Sequence, residues 1–124
     1  MDAITTPNAP QPAGHYAQAV AWDRLVFVAG QLPVRPNGEH VTGDIEAQTR
    51  QALANVEAIL NASGSGLDRV LKTTVFVTDV ALWPAVNTMY AEVFGEHRPA
   101  RSVVPVKELH YGFLIEIEAI AVRD

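Results

Sequence analysis

The segment Val70-Leu-Lys-Thr-Thr-Val-Phe-Val-Thr78 has the pattern of a central β-strand. It is dense in β-branched residues, which favour an extended backbone. Successive side chains of a strand point to opposite faces. One face consists of Leu71, Thr73, Val75 and Val77, and the other of Lys72, Thr74, Phe76 and Thr78. Because both faces carry apolar residues, we predict a central strand over residues 70–78.

A helix is predicted on the N-terminal side of this strand. Between Asp44 and Asn61, apolar residues recur at spacings that place them in one helical stripe. Thr42 or Asp44 can cap its first turn, and Gly64 supplies the left-handed residue that commonly ends a helix. The segment is therefore predicted to pack one face against a core.

A second helix is predicted on the C-terminal side. Asp79 can cap it, Pro84 suits its first turn, and Gly95 ends it. Its apolar face consists of Leu82, Val86, Met89, Tyr90 and Val93. The central strand is therefore expected to lie between two helices in the sequence.

Further strands are predicted toward both ends of the chain. The segments are Ala17–Trp22 and Leu25–Ala29, joined by a tight hairpin at Asp23 and Arg24, and Ser102–Val106 and Phe113–Val122, joined through the turn His110-Tyr111-Gly112. A short strand is also expected around His40 and Val41. The order is then ββ(β)αβαββ, an α+β fold in one domain over residues 1–124.

Several predicted strands are apolar on both faces, yet the chain offers only two helices to cover them. Connections of this length favour packing both helices on the same side of the sheet. A bare sheet face favours association, since burial contributes about 25 cal/mol per Å² of apolar area. We expect a homo-oligomer whose sheets pack together. The alternative is that the N-terminal segment folds over the open face.

Composition narrows the class of function. The chain has 124 residues, 48% of them hydrophobic, and a net charge of −5, so nucleic acid is not an expected partner. It lacks cysteine, which excludes disulfides and thiolate chemistry. No stretch approaches the ~18 apolar residues of a membrane span, and the N-terminal residues do not resemble a signal peptide. We therefore expect a cytoplasmic protein with no membrane partner.

Two charged residues lie where charge is costly. Arg101 stands in an otherwise uncharged run that enters a strand, and Glu116 shares a strand face with Glu118. An arginine fork suits a substrate carboxylate, and a glutamate can hold or activate a water molecule. The structural alternative is that Arg101 and Glu116 neutralise each other, or that the glutamates face solvent.

Weaker candidates surround this pair. Tyr16 can be a site residue or ordinary packing, and Asn87 can be a site residue or a solvated helix position. Gly30, with Gln31 after an apolar strand, can present backbone N–H groups to an anion or form a plain turn. The histidines at 15, 40, 97 and 110 lack the spacing of metal ligands, so no metal is expected.

A set of short motifs extends over nearly the whole chain. They are Gly14–Ala19, Ala29–Pro33, Gln48–Val56, Lys72–Val77, Val86–Tyr90, Pro99–Ser102 and Ile115–Ala121. Together they resemble the RidA/YjgF family of reactive-intermediate deaminases. The resemblance implies a chorismate-mutase-like fold and a homotrimer whose sheets form a central barrel. It also implies hydrolysis of enamines and imines, such as 2-aminoacrylate and 2-aminocrotonate, to 2-keto acids and ammonia without a cofactor.

The same resemblance assigns roles to residues of this chain. Arg101 would clamp the substrate carboxylate and Glu116 would orient the attacking water. Tyr16 and Asn87 would line the pocket, and Gly30 would offer its main chain from a neighbouring subunit. A water molecule and charge stabilisation suffice for this chemistry, because an imine is already electrophilic.

The chain also departs from the family pattern. Ala29 stands where many members have serine, Val103 where many have cysteine, and His15 where proline is common. These changes leave substrate preference open, and they motivate a second hypothesis of a carboxylate-binding trimer with a regulatory or scavenging role. The His110-Tyr111-Gly112 turn either reshapes the entrance or is only a different hairpin. A third reading, a ribonuclease that inhibits translation, conflicts with the acidic charge.

Overall fold

The computed structural model describes all 124 residues as a mixed sheet of six strands with two α-helices. The strands are β1 (Asp2–Ile4), β2 (Ala19–Trp22), β3 (Leu25–Gln31), β4 (Val70–Val77), β5 (Ala100–Pro105) and β6 (Ile115–Val122), and the helices are α1 (Ile45–Ala62) and α2 (Trp83–Phe94). The strand order across the sheet is β1-β2-β3-β6-β4-β5. Neither helix has the length and apolar character needed to cross a membrane.

The predicted central strand is confirmed as β4, an internal strand. It pairs antiparallel with β6 and parallel with β5. One detail of its alternation was wrong. The register shifts between Val70 and Lys72, so Val70 is buried whereas Leu71 is 48% exposed. An irregularity of this kind reverses which side chains reach the core, and nothing in the local pattern signals it.

Strand pairing corrects two sequence expectations. The β2–β3 hairpin is confirmed, with Asp23 at a positive φ of 55° in its turn. The expected hairpin through residues 110–112 is wrong, because β6 lies between β3 and β4 while β5 lies at the edge beyond β4. Strand β1 was missed, and the strand expected near His40 is only an isolated bridge between Val34 and His40.

Helix α1 has the predicted cap and both helices have the predicted glycine ends. The expectation that Asp79 caps α2 is wrong, because the N-cap of α2 is Leu82, which makes no side-chain capping hydrogen bond. The Asp44 side chain accepts a hydrogen bond from the Ala47 N–H at the start of α1, and Gly64 beyond its end has a φ of +82°. The Asp79 side chain accepts from the Ala81 N–H in the short turn before α2, and Gly95 follows α2 with a φ of +64°. The Asp44 cap and the two glycines therefore set these helix bounds.

The two helices share one core with one face of the sheet. A single apolar cluster joins buried residues of both helices to alternate residues of the strands. Helix residues in it include Leu53, Val56, Ile59, Val86 and Phe94, and strand residues include Val26, Val28, Val75, Val77, Ile115 and Ile117. The prediction that both helices pack on the same side is therefore confirmed.

The opposite face of the sheet is uncovered in the chain. We call it the open face, formed by the side chains of Val20, Trp22, Leu25, Phe27, Phe76, Val104, Glu116, Glu118, Ile120 and Val122. On it Trp22 is 64% exposed and Phe27 is 45% exposed. The alternative that the N-terminal segment folds over this face is wrong, because β1 extends the sheet edge beside β2 instead.

Candidate active site

Arg101 is held by aromatic rings and an amide. Its guanidinium carbon lies 4.3 Å from the ring centroid of Trp83 and 4.7 Å from that of Tyr90. Its Nη1 donates a hydrogen bond of 3.3 Å to Oδ1 of Asn87. Such ring faces attract a cation without neutralising it. The guanidinium is therefore oriented while its charge remains available.

Helix α2 and strand β4 position these ring contacts. Tyr90 is buried, and its hydroxyl lies 2.7 Å from Oγ1 of Thr73, the residue of β4 that pairs with Arg101. Trp83, Asn87 and Tyr90 lie four and three residues apart, so they share one side of the helix. Arg101 thus lies on the helix-covered side of the sheet.

No carboxylate of the chain pairs with Arg101. The salt bridges join Arg35 to Glu39, Arg50 to Glu92, Arg69 to Asp124 and Arg123 to Asp2. The alternative that Arg101 and Glu116 neutralise each other is therefore wrong within one chain. A partly buried guanidinium without a counter-ion is the feature expected of an anion site.

Val103 lies two residues beyond Arg101 on the same side of β5. It pairs with the buried Val75 and packs at the margin of the core. Its side chain offers no polar atom to a ligand. A cleft of about 480 Å³ beside this strand is lined by residues that include Arg101, Asn87, Tyr90 and Arg98.

Glu116 occupies the other side of the sheet. It pairs with Phe76 of β4, its side chain is half-buried, and it makes no hydrogen bond within the chain. Burial raises the pKa of its carboxyl, the positive charge of His110 opposes that rise, and the charge of Glu118 adds to it. Raising the pKa of a carboxylate makes it a stronger base toward a water molecule.

Gly30 leaves room for Glu116 beside β3. A Cβ placed on Gly30 would lie 2.9 Å from Oε2 and 3.0 Å from Cδ of Glu116, so a side chain at this position would displace the carboxyl group. The register between β3 and β6 shifts between Val28 and Gln31, so an extra residue bulges out of β3 beside this carboxyl. The missing side chain therefore brings the backbone against the carboxyl group.

A single cleft of about 720 Å³ contains Glu116. Its lining includes the predicted residues Tyr16, Ala29 and Gly30. It also includes three residues that sequence reasoning did not assign to the site: His40, His110 and Tyr111. The turn at residues 110–112 was noticed in the sequence as a possible feature of the entrance, and that reading is the one the structure favours.

The predicted site residues therefore form two groups on opposite sides of the sheet. Arg101, Asn87 and Val103 lie on the side covered by α2, and Tyr16, Ala29, Gly30 and Glu116 lie around the cleft on the other side. Trp83 and Tyr90 complete the first group and were missed because an aromatic residue on a helix is usually a core residue. One chain holds two half-sites and does not join them.

Comparison with known proteins identifies relatives that match almost the entire chain. The family model described as Endoribonuclease L-PSP matches residues 6–123. A RutC family protein of Pyrococcus horikoshii is 48% identical over 124 residues, which cover 99% of this chain and 98% of the relative. The 2-iminobutanoate/2-iminopropanoate deaminase of Escherichia coli K12 is 46% identical over 123 residues, 97% of this chain and 96% of the enzyme.

Solved structures agree with this assignment. The crystal structure of E. coli TdcF with bound serine superposes with a TM-score of 0.95 at 41% identity and covers 100% of both chains. At such identity and coverage the relationship extends to the family and not only to the fold. The chain belongs to the RidA/YjgF family.

Proposed function

We propose that this chain hydrolyses reactive 2-imino and 2-enamino acids, of the 2-aminoacrylate or 2-aminocrotonate type, to 2-keto acids and ammonia. The observation that carries the proposal is the unpaired guanidinium of Arg101, held by Trp83, Tyr90 and Asn87 with its charge free for an anion. A relative 46% identical is named for this activity. The TdcF structure contains bound serine, a small molecule with a carboxylate. In this chain, Arg101 would bind a substrate carboxylate of that kind.

The chemistry divides between the two half-sites. Arg101 would bind the substrate carboxylate in a bidentate manner, which places C2 of the imine near Glu116. The Glu116 carboxylate would accept a proton as water adds to C2 and forms a carbinolamine. Expulsion of ammonia then leaves the keto acid. Because the imine is electrophilic, no covalent nucleophile is needed.

The two half-sites meet only if copies of the chain associate. Since Arg101 and Glu116 lie on opposite sides of the sheet, a substrate that contacts both must lie between subunits. The exposed apolar residues of the open face support packing of sheet against sheet. We propose a homotrimer in which the sheets form a central barrel and Arg101 of one subunit faces Glu116 of the next.

A carboxylate-binding trimer without turnover is the second candidate. Ala29 and Val103 favour it, because neither side chain offers a polar atom to a ligand. A nuclease activity, which the description of the family model suggests, is not supported by a net charge of −5.

The test of the proposed function is a coupled dehydratase assay. A serine or threonine dehydratase generates the imine, semicarbazide traps it, and the purified protein competes by hydrolysis. We expect wild type to suppress the semicarbazone. Arg101→Ala should lower kcat/KM by about 100-fold or more, and Arg101→Lys should recover little, since lysine lacks the planar fork.

Arg69→Ala is the matched control, because Arg69 forms an exposed ion pair with the C-terminal residue Asp124. Its kcat/KM should stay within about twofold of wild type, as expected for a surface salt bridge. If wild type binds pyruvate with an affinity that Arg101→Ala abolishes, yet never reduces the semicarbazone, the binding-protein alternative holds. Equal activity in wild type and Arg101→Ala would refute the assigned role of Arg101.

A further inference from the structure

The Glu116 cleft contains a histidine that the proposed hydrolysis has not used. Of the four histidines, His15 is exposed outside the cleft, and Nε2 of His97 is hydrogen-bonded at 2.8 Å to the Val70 carbonyl. His40 lines the cleft but its ring packs 4.9 Å from Tyr111 and 5.1 Å from Phe113, measured between centroids. His110 lines the cleft, is exposed and makes no side-chain hydrogen bond within the chain.

The turn that carries His110 is anchored firmly. Phe113 is buried and donates a backbone hydrogen bond of 3.2 Å to the His110 carbonyl, and the Leu114 N–H donates to Oε1 of Gln48 at 2.8 Å. Tyr111 between them has a φ of 60°, in the left-handed region that residues with a side chain rarely adopt. Its ring packs beside that of His40, which connects the turn to another residue of the cleft wall.

His110 and Glu116 also interact electrostatically. The positive form of His110 lowers the pKa of Glu116, against the larger effect of burial. The other ionisable groups around His110 are Tyr16, His40 and Tyr111 in the cleft, with Glu118 beside Glu116 on β6. The cleft therefore contains the Glu116 carboxyl, whose pKa is raised, and the His110 imidazole, which has no hydrogen-bond partner in the chain. These two groups can transfer protons in the reaction.

We infer that His110 is a second catalytic residue, which protonates the departing nitrogen while Glu116 accepts a proton from the attacking water. The inference rests on the proposed imine hydrolysis. Glu116 alone would have to move from the oxygen to the nitrogen of the carbinolamine between the two steps, whereas two groups can act on the two atoms from fixed positions.

The proton balance closes with these two residues. Water adds to C2 of the iminium ion and gives one proton to the Glu116 carboxylate, which forms a neutral carbinolamine. Glu116 passes this proton to solvent. The His110 imidazolium donates a proton to the amine, the C–N bond breaks, and Glu116 accepts the hydroxyl proton as the carbonyl forms, while the imidazole regains a proton from solvent. Glu116 gives its proton to the released ammonia. The sum is iminium plus water to keto acid plus ammonium, with both residues regenerated.

The experiment compares pH profiles of kcat/KM in the dehydratase assay, with the protein-free rate subtracted at each pH. His110→Gln should lower kcat/KM by about 100-fold, the lower end of what general acid–base catalysis contributes. It should also remove the alkaline decline, because the group that must stay protonated is gone. The acid limb should move to higher pH, since the charge that lowers the pKa of Glu116 is lost.

His15→Gln is the matched control, an exposed histidine outside the cleft, and its profile should overlay that of wild type. His110→Ala should regain activity when imidazole is added. If His110→Gln keeps the wild-type alkaline decline, or stays within about twofold of the wild-type rate, the inference is overturned. An inactive wild type would instead refute the proposed function, and the inference with it.

Discussion

At the scale of single residues, the site depends on two charges that the fold leaves without partners. Arg101 rests on the rings of Trp83 and Tyr90, and Glu116 lies against the backbone of Gly30. Both arrangements lower the stability of the folded chain when no ligand is bound, because the free-energy cost of removing each charge from water is only partly offset. Sites that bind charged substrates commonly retain such unpaired groups, at the expense of stability.

The Glu116 carboxyl gives a prediction about stability and pH. Its pKa is raised in the folded chain, mainly by burial, so the folded state holds this proton more tightly than the unfolded state does. Stability should therefore fall as pH rises through the window between the unfolded and folded pKa values. Glu116→Gln removes the ionisation. Its melting temperature should exceed that of wild type at pH 7, and the difference should vanish below the pKa of an unfolded glutamate.

Thermal melts at pH 7 and pH 3.5, at one protein concentration, measure this difference. Glu57→Gln is the control, because Glu57 is exposed on α1, outside the sheet. The activity of Glu116→Gln should fall by about 100-fold or more if the carboxylate is the base. A variant less stable than wild type at pH 7 would contradict the assignment of a desolvated carboxyl.

The charged site residues were predictable from sequence, and their supporting residues were not. Arg101 and Glu116 stand out because charge in an apolar strand needs an explanation. Trp83 and Tyr90 follow the spacing of an ordinary core stripe, so nothing local distinguishes a ring under a guanidinium from a ring in a core. The Gly30 contact depends on a bulge, which is a property of two paired strands and not of either alone.

At the scale of elements, the open face should control association. Phe27 lies at its centre, paired with Val20 on one side and Ile120 on the other, and is 45% exposed. Phe27→Glu places a charge where we propose that another sheet packs, and a desolvated unpaired charge costs several kcal/mol. We expect this variant to shift toward the 13.4 kDa monomer and to lose activity, because the site becomes incomplete.

Light scattering on a sizing column measures the mass. Val80→Glu is the control, since Val80 is also an exposed apolar residue, at 64%, but lies in the turn before α2 and outside the sheet. Wild type should elute as three copies of the chain and Val80→Glu should match it. A wild type that is monomeric at all concentrations would contradict sheet-to-sheet association.

Local sequence patterns predicted which helices and strands form. The order of the strands across the sheet is known only from the structure. Periodicity and capping residues identified both helices and five of the strands, because these signals lie within each segment. Strand β1 has only three residues, too few for a pattern to emerge. The placement of β6 between β3 and β4 depends on pairing between distant segments, so the assumption that consecutive strands are neighbours failed for β5 and β6.

At the scale of the whole molecule, the single subunit is an incomplete enzyme in our proposal. The sequence predicted the need for a partner from two-sided apolar strands, and the uncovered open face agrees with that prediction. It did not predict that the two charged residues lie on opposite sides of the sheet, because strand register is required to establish this. That separation makes assembly a condition of catalysis in our proposal.

The central claim is that Arg101 of one subunit and Glu116 of another share a site. Arg101→Ala and Glu116→Gln subunits, each inactive alone, can be co-expressed with different tags and isolated as mixed oligomers. Each isolated mixed trimer should have about a third of the wild-type activity, since one of its three interfaces has both residues intact. Mixed oligomers that form but hydrolyse no imine above the level of either variant alone would contradict the account.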